Sequence, residues 1–343
     1  MPDALELNAA APAGTPERER RWSGTHLLSA AISTVLLVVL YRSIDVRLVG
    51  SALFAADPLW LVLSVSIIVP ITVLRAIRFY WVAPPGALPG VVEALRLTLV
   101  ASALNVVVPA KAGDLVKSYF VARRSETSTG VALAIVVYER LCDVLGLVFW
   151  CLLGWFTAVR PRTPPVPSAL WLSLGAIGAA CAALVLSQHL AALLAALPAK
   201  VLRFRKLQQL AAGWPDLLRG LGRRRGWVVL FTLVLWLTHL FQIWLFTVTL
   251  AAPVPFAICA SFAALALIAG QLPFTLAGLG ARDLALVVLL SGYMAPAQAA
   301  ALGVLIVTRT VVPPLLGMPL IRPYLATAVD EARRWRRETS RNT

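Results

Sequence analysis

Three ionisable side chains stand where an apolar run should exclude them. Val137-Tyr138-Glu139-Arg140-Leu141-Cys142-Asp143 lies deep inside the run Val131–Val159. Glu139 and Asp143 are four residues apart and Arg140 and Asp143 three apart, so a helix sets all three on one side. A charge at the centre of a bilayer costs about 2.5–3.5 kcal/mol on insertion scales, so such a group faces a polar interior and takes a partner. Arg140 can neutralise one of the two carboxylates internally. The other needs a cation from elsewhere, and Arg309, alone in the middle of Ala297–Leu320, is the expected one. The chemistry open to this set is anion recognition by the guanidinium or proton handling by the carboxylates. The alternative is a structural ion-pair network that only ties helices together.

Other charges share the pattern. Arg75 and Arg78, at i and i+3 near one end of Leu59–Val82, form a third cationic site or else snorkel to the interface. His239 and Gln242 pair in the same way on a later run, as ligands or as interhelical hydrogen-bond glue. Two further segments resemble each other. The first reads Asn105-Val-Val-Val-Pro109-Ala-Lys111-Ala-Gly113-Asp114-Leu115, and the second Gln271-Leu-Pro273-Phe-Thr-Leu-Ala-Gly278-Leu-Gly280-Ala-Arg282-Asp283-Leu284. Each has an amide, a proline, a small-residue break with one cation, then Asp-Leu opening a helix. Two interrupted segments of opposite membrane sense point to a binding site at the midplane of a transporter. The plain alternative is a pair of ordinary loops in which Asp114 and Asp283 cap helices.

The embedded set therefore holds Arg75, Arg78, Lys111, Arg140, Arg282 and Arg309 against Asp114, Glu139, Asp143 and Asp283. An excess of cations makes a cavity that attracts phosphate or carboxylate, which arginine grips with two hydrogen bonds. Helix starts after Gly113 and Gly280 add positive dipole ends. Asn105 and Gln271 complete the expected substrate-binding residues. No metal site is expected: His26, His189 and His239 share no ligand spacing. Cys142, Cys151, Cys181 and Cys259 lie inside apolar runs without a CxxC pair, and read as inert buried thiols.

The elements that must position these residues are membrane helices. The chain has 343 residues, of which 59% are apolar and only 14% charged, whereas soluble domains carry about a quarter charged. The net charge of +15 is not a nucleic-acid signal, because the basic residues cluster between apolar runs, at Arg18–Arg21, Lys200–Arg225 and Arg333–Arg341. That placement follows the positive-inside rule and suits contact with anionic lipid. Residues 1–23 read as a disordered cytoplasmic tail, and 326–343 as a basic one. Leu27–Tyr41 reads as a membrane anchor, since Arg42 follows directly and no small-x-small cleavage site stands near.

Further apolar runs are Leu59–Val82, Val91–Pro109, Val131–Val159, Ala169–Leu197, Trp227–Ala251, Pro255–Pro273, Leu284–Tyr293 and Ala297–Leu320. If Val91–Pro109 crossed the bilayer, Lys111, Lys117, Arg123 and Arg124 would lie outside, and Lys200–Arg225 with them. A hairpin over Val91–Arg124 that breaks near Pro109–Gly113, and a second over Pro255–Tyr293, keep both basic segments and both termini cytoplasmic. Arg160 and Arg162 remain external exceptions. The expected fold is an all-α polytopic helix bundle over residues 24–325, with roughly seven spans plus two re-entrant hairpins in an inverted repeat. Leu207, Leu210, Leu217, Leu218 and Leu221 recur at near-helical spacing among basic residues, which predicts a helix lying in the cytoplasmic interface.

At the Asn105–Asp114 segment with Pro-Ala-Lys-Ala-Gly-Asp, at Glu139-Arg-Leu-Cys-Asp143, and at Gly278-Leu-Gly-Ala-Arg-Asp283, the chain resembles the lysylphosphatidylglycerol synthase transmembrane-domain family. That family usually carries Arg and Glu in the first motif; here Lys111 and Asp114 keep the charges with a shorter acid. Asp283 likewise stands where Glu is common. The resemblance implies a flippase-like helical domain that moves an anionic lipid, or a lipid-linked precursor, between leaflets of the cell membrane. The synthase's soluble aminoacyl-transferase domain is not expected, because only residues 321–343 follow the last run. There is no G-x-x-x-x-G-K-[ST] loop, so neither ATP hydrolysis nor any other cofactor is expected. Two other functions compete. One is a membrane enzyme acting on a lipid phosphate or lipid-linked sugar, with Glu139, Asp143 or Asp114 as acid or base. The other is a non-catalytic partner of a glycosyltransferase or lipid-modifying enzyme.

Overall fold

Short acceptor side chains mark where several helices begin. Asp45 accepts the backbone N–H of Arg47 and opens α1 (Val46–Phe54). Asp57 accepts from Leu59 and Trp60 and opens α2 (Pro58–Ser66), with Pro58 in the first turn. Each satisfies an N–H that has no partner within its helix. The computed structural model describes residues 44–107, 113–124, 127–157, 166–198, 204–271 and 280–341, with isolated positions at 31, 34, 35, 38 and 42. Every element among the described residues is helical.

After α2 come α3 (Ile68–Val82), α4 (Val91–Val107), α5 (Gly113–Arg124) and α6 (Thr129–Thr157). Ser128 starts α6 by accepting the Val131 N–H at 3.3 Å. Next are α7 (Ser168–Leu186), α8 (Gln188–Ala195) and α9 (Arg205–Leu221), followed by α10 (Arg224–Thr249), α11 (Phe256–Gly270), α12 (Ala281–Leu289) and α13 (Pro296–Arg341). The apolar run Ala169–Leu197 is thus divided: Ser187 ends α7 and its hydroxyl accepts from Leu190 to start α8. Helix α13 continues to Arg341, so the segment read as a basic tail after 325 is helical up to that residue.

Among the described residues, four stretches are long and apolar enough to cross a membrane: Pro58–Val82, Ser168–Leu186, Arg224–Thr249 and Pro296–Tyr324. The protein is a multi-pass membrane protein built as an all-α bundle. Helix α6 has 29 residues, about 43 Å at 1.5 Å per residue, but carries the charged triad. The helices of the two interrupted segments are shorter: 17 residues in α4, 12 in α5, 15 in α11 and 9 in α12. None reaches the ~20 residues a straight crossing needs.

The two halves, α3–α6 and α10–α13, share one pattern of neighbours. In each, the first helix packs on the second, the second on the third and the third on the fourth. The halves then exchange partners, with α4 lying along α13 and α11 lying along α6. A glycine closes each crossing: Gly317 of α13 meets the Leu99 carbonyl of α4, and Gly154 of α6 meets the Ala257 carbonyl of α11. A Cβ at either position would collide with backbone, so these contacts depend on the missing side chain.

Helix α9 is amphipathic as the spacing predicts, but protein covers its apolar face except at Leu207, which is exposed. Trp214, Leu217, Leu218 and Leu221 are buried, and Gly213 crosses Gly130 of α6 with no room for a side chain. Its exposed face carries Arg205, Lys206 and Arg219.

Candidate functional site

The charges in α6 are joined by two neighbouring helices into a closed ring. Arg78 of α3 donates from Nη1 to Asp143 Oδ1 at 2.6 Å, and its Nη2 lies 3.7 Å from Glu139 Oε1. Lys117 of α5 donates to Glu139 Oε2 at 2.9 Å and lies 3.5 Å from Asp114 Oδ1. Arg140 donates to Asp114, and its Nη1 is 3.7 Å from Asp143 Oδ2. Around the ring the order is Arg78, Asp143, Arg140, Asp114, Lys117, Glu139 and back to Arg78, so every charge touches two of opposite sign.

Three cations against three anions make the ring neutral. That balance is what allows six charges to sit together in an apolar bundle, since an unpaired ion there would be costly. Arg140 is its most open member, with a third of its side chain exposed, while Asp143 is at 12% and the others are nearly sealed. The ring is also held from outside. Trp236 of α10 donates its indole N–H to Asp143 Oδ1 at 3.2 Å, and the Lys117 ammonium lies 4.7 Å over the Phe79 ring. Gly146, three residues beyond Asp143, leaves the space that Trp236 fills.

In the second half the arrangement differs. Arg282 is buried and donates from both Nε and Nη2 to Asp283 Oδ1, at 2.9 and 2.7 Å, and from Nη2 to the Gly303 carbonyl at 3.1 Å. Asp283 also caps α12 by accepting the Gly280 N–H at 3.2 Å. Arg309 of α13 donates to His239 Nδ1, so that nitrogen carries a lone pair and the imidazole is neutral. The remaining nitrogens of Arg309, Nε and Nη1, are buried without a hydrogen-bond partner. Arg309 is paired with no carboxylate among the described residues. Arg75 is half-buried, also forms no ion pair there, and lies within electrostatic reach of Asp114, Asp143 and Arg309.

A guanidinium has two edges that can each grip an anion with two N–H groups, and both edges use Nη2. Nη2 carries two hydrogens, one on each edge, and His239 takes one. One complete two-pronged edge of Arg309 therefore stays free. Its surroundings are cationic, with Arg282 and Arg75 both within electrostatic reach.

Of the residues expected from sequence, Asp114, Glu139, Arg140, Asp143 and Arg78 come together in the ring. The second carboxylate of the triad is served by Arg78 and Lys117 and not by Arg309, which faces His239 instead. The reason is placement: α5 packs on α6 and Arg78 reaches the charged side of α6 from α3, whereas Arg309 meets His239 of α10. Asn105 does a backbone job, its Oδ1 accepting the Gly113 N–H at 2.9 Å to start α5. Gln271 ends α11 as an exposed residue, so the two amides are not equivalent. Gln242 donates to the Ser64 carbonyl at 2.8 Å, which makes it interhelical glue. Lys111 and residues 272–279, including Pro273 and Gly278, fall outside the described residues.

Lys117 and Trp236 are the members sequence reasoning missed. Lys117 had the look of one more loop charge, yet it stands three residues after Asp114 on the same helical face. Trp236 sits three residues before His239, and its ring packs against the imidazole with centroids 4.8 Å apart.

The matching family model, the lysylphosphatidylglycerol synthase TM region, covers residues 26–317. The chain belongs to this family. The matched span contains the whole ring together with Arg282, Asp283 and Arg309, so every charged group described above lies within the family's TM region. No curated protein and no solved structure matches the chain.

Proposed function

We propose that this member of the lysylphosphatidylglycerol synthase TM region family moves an anionic lipid, or a lipid-linked precursor, between the leaflets of the cell membrane. The observation that carries the reading is the free edge of Arg309, a buried guanidinium with two N–H nitrogens lacking acceptors and, among the described residues, no carboxylate of its own. Buried donors without acceptors are costly, by about 1–3 kcal/mol each, so the site is completed by an incoming anion. Arg75 and Arg282 add positive potential, and a phosphate or carboxylate fits the two-pronged edge.

In this reading the neutral ring is the scaffold and the second-half arginine is the contact. The short helices α4, α5, α11 and α12 form two hairpins that enter from opposite faces. The basic loop around α9 and both termini lie in the cytoplasm, as the positive-inside rule requires. Labelling of a cysteine at Ser125 from the periplasmic side alone would overturn that orientation.

The test is mass spectrometry of lipids that co-purify with the detergent-extracted protein, comparing wild type with Arg309→Ala and Arg75→Ala. The expected result is an anionic lipid enriched on wild type and depleted from both variants. Equal enrichment on wild type and Arg309→Ala would overturn the headgroup site. An enrichment absent from all three would favour a non-catalytic partner role over transport.

A further inference from the structure

Asp114 and Asp283 occupy equivalent places, each opening the third helix of its half. Each has a near cation on its own helix, Lys117 three residues after Asp114 and Arg282 one residue before Asp283. Each also has a far arginine on the long fourth helix of its half. Arg140 lies 26 residues beyond Asp114, and Arg309 lies 26 residues beyond Asp283, 309 less 283. The equal spacing and the shared order of neighbours, third helix on fourth, make the two sets counterparts.

They are found in opposite conditions. In the first half the carboxylate is bonded to the far arginine, and the near cation waits at 3.5 Å while bonded to Glu139. In the second half the carboxylate is bonded to the near cation, and the far arginine is free along one edge.

We infer that Arg140 is a second headgroup site, equivalent to Arg309, and that Asp114 and Asp283 are latches which open and close the two sites. When a latch carboxylate turns to its near cation, the far arginine is released to hold a phosphate or carboxylate monoanion. When it turns to the far arginine, it displaces that anion. One molecule thus displays both pairings, Asp283 on its near cation and Asp114 on its far arginine. The first latch can open without stranding a charge: Asp114 keeps Lys117, and Arg140 keeps Asp143 at 3.7 Å. Arg140 is also the ring member with the most exposure, as a site that must receive a ligand requires. Passing the anion from Arg309 to Arg140 while the latches exchange gives a headgroup two resting places along its path. This inference deepens the transport reading and rests on it.

Arginine-specific labelling with phenylglyoxal, read by peptide mass spectrometry on protein in phosphatidylcholine liposomes, separates the two. In wild type Arg140 is expected to be protected by its bond to Asp114. Asp114→Asn should raise Arg140 labelling about fivefold or more, the range expected for a coupling of 1–3 kcal/mol. Arg309, whose unpaired nitrogens are buried, is read by phosphatidylglycerol retained through purification: Arg282→Gln frees Asp283 to take Arg309, so retention should fall by about the same factor. The double variant Arg282→Gln/Asp283→Asn should restore it. Unchanged Arg140 labelling in Asp114→Asn, with wild-type melting, would overturn the latch. Should Asp114→Asn fail to fold, unchanged retention in Arg282→Gln would overturn it alone.

The source of the anion is read in separate arms. Retention of phosphatidylglycerol that inorganic phosphate does not displace identifies a lipid headgroup. Retention of neither anion sinks the transport reading while leaving the Arg140 labelling of the latch to stand or fall on its own.

Discussion

The ring on α6 and the arginine on α13 are made of the same materials and behave as opposites. Around Glu139, Arg140 and Asp143 every charge meets two of opposite sign, and the whole is neutral. Around Arg309, among the described residues, the partners are a neutral imidazole and other cations, and two buried nitrogens have no hydrogen-bond acceptor. A closed ring favours rigidity, because each of its charges already meets two of opposite sign, and Arg140 is its most exposed member. An arginine without its carboxylate keeps binding capacity and costs stability until a ligand arrives. In the proposed reading the two regions divide the work of holding the bundle and of recognising an anion. Trp236 joins them, bonding Asp143 through its N–H while its ring packs on His239, the partner of Arg309.

Four substitutions probe that division. Arg78→Ala should have the largest effect, since it removes the main partner of Asp143 and one of two for Glu139. Breaking a buried pair on one side costs about 3–5 kcal/mol, to be read as a lowered unfolding midpoint in detergent; a variant as stable as wild type would mean that the ring is not structural. Arg309→Ala should leave stability nearly unchanged but weaken anionic-lipid retention about tenfold or more, from the loss of charge-assisted hydrogen bonds worth about 1.5–3 kcal/mol. A large stability loss with normal lipid retention would reverse the roles assigned to the two regions.

Gly303→Ala tests the second half alone. A Cβ there would stand 2.6 Å from Asp283 Oδ1, so the carboxylate must move from Arg282. The expected cost is about 1–3 kcal/mol, as for other overpacked sites, with a change in anionic-lipid retention and none in Arg140 labelling. Trp236→Phe should be the mildest, removing one 3.2 Å hydrogen bond to a carboxylate for about 1.5 kcal/mol, the low end for a charged acceptor. Because Trp236 touches both regions, melting and lipid retention should shift together. A change in only one would show that the regions are uncoupled through this residue.

Much of this was legible before any coordinates. The triad's spacing put Glu139, Arg140 and Asp143 on one face, and all three are members of one ring. Gly113 and Gly280 stand at helix starts as the broken-segment pattern predicts. The partner of the second carboxylate was not legible. Arg78 and Asp143 are separated by 65 residues, and nothing along the chain distinguishes Arg78 from Arg309 as the one that reaches it. Lys117 was hidden for a related reason: among Lys111, Arg123 and Arg124 it reads as a loop charge, and only the packing of α5 on α6 turns it inward.

The sequence by itself determined the solvent, the helices and the need for pairing. Apolar runs of this length belong in a bilayer, and a backbone in lipid must satisfy its hydrogen bonds as helix. Charges inside those runs must then be matched, because hydrocarbon does not screen them. Which charge meets which was decided only by tertiary structure. Ion pairing depends on distances of a few ångströms between helices far apart in the chain, and glycine-backed crossings such as Gly154 on Ala257 and Gly317 on Leu99 set those distances. The same choice of neighbours closed the ring around Arg140 and left Arg309 with an open edge.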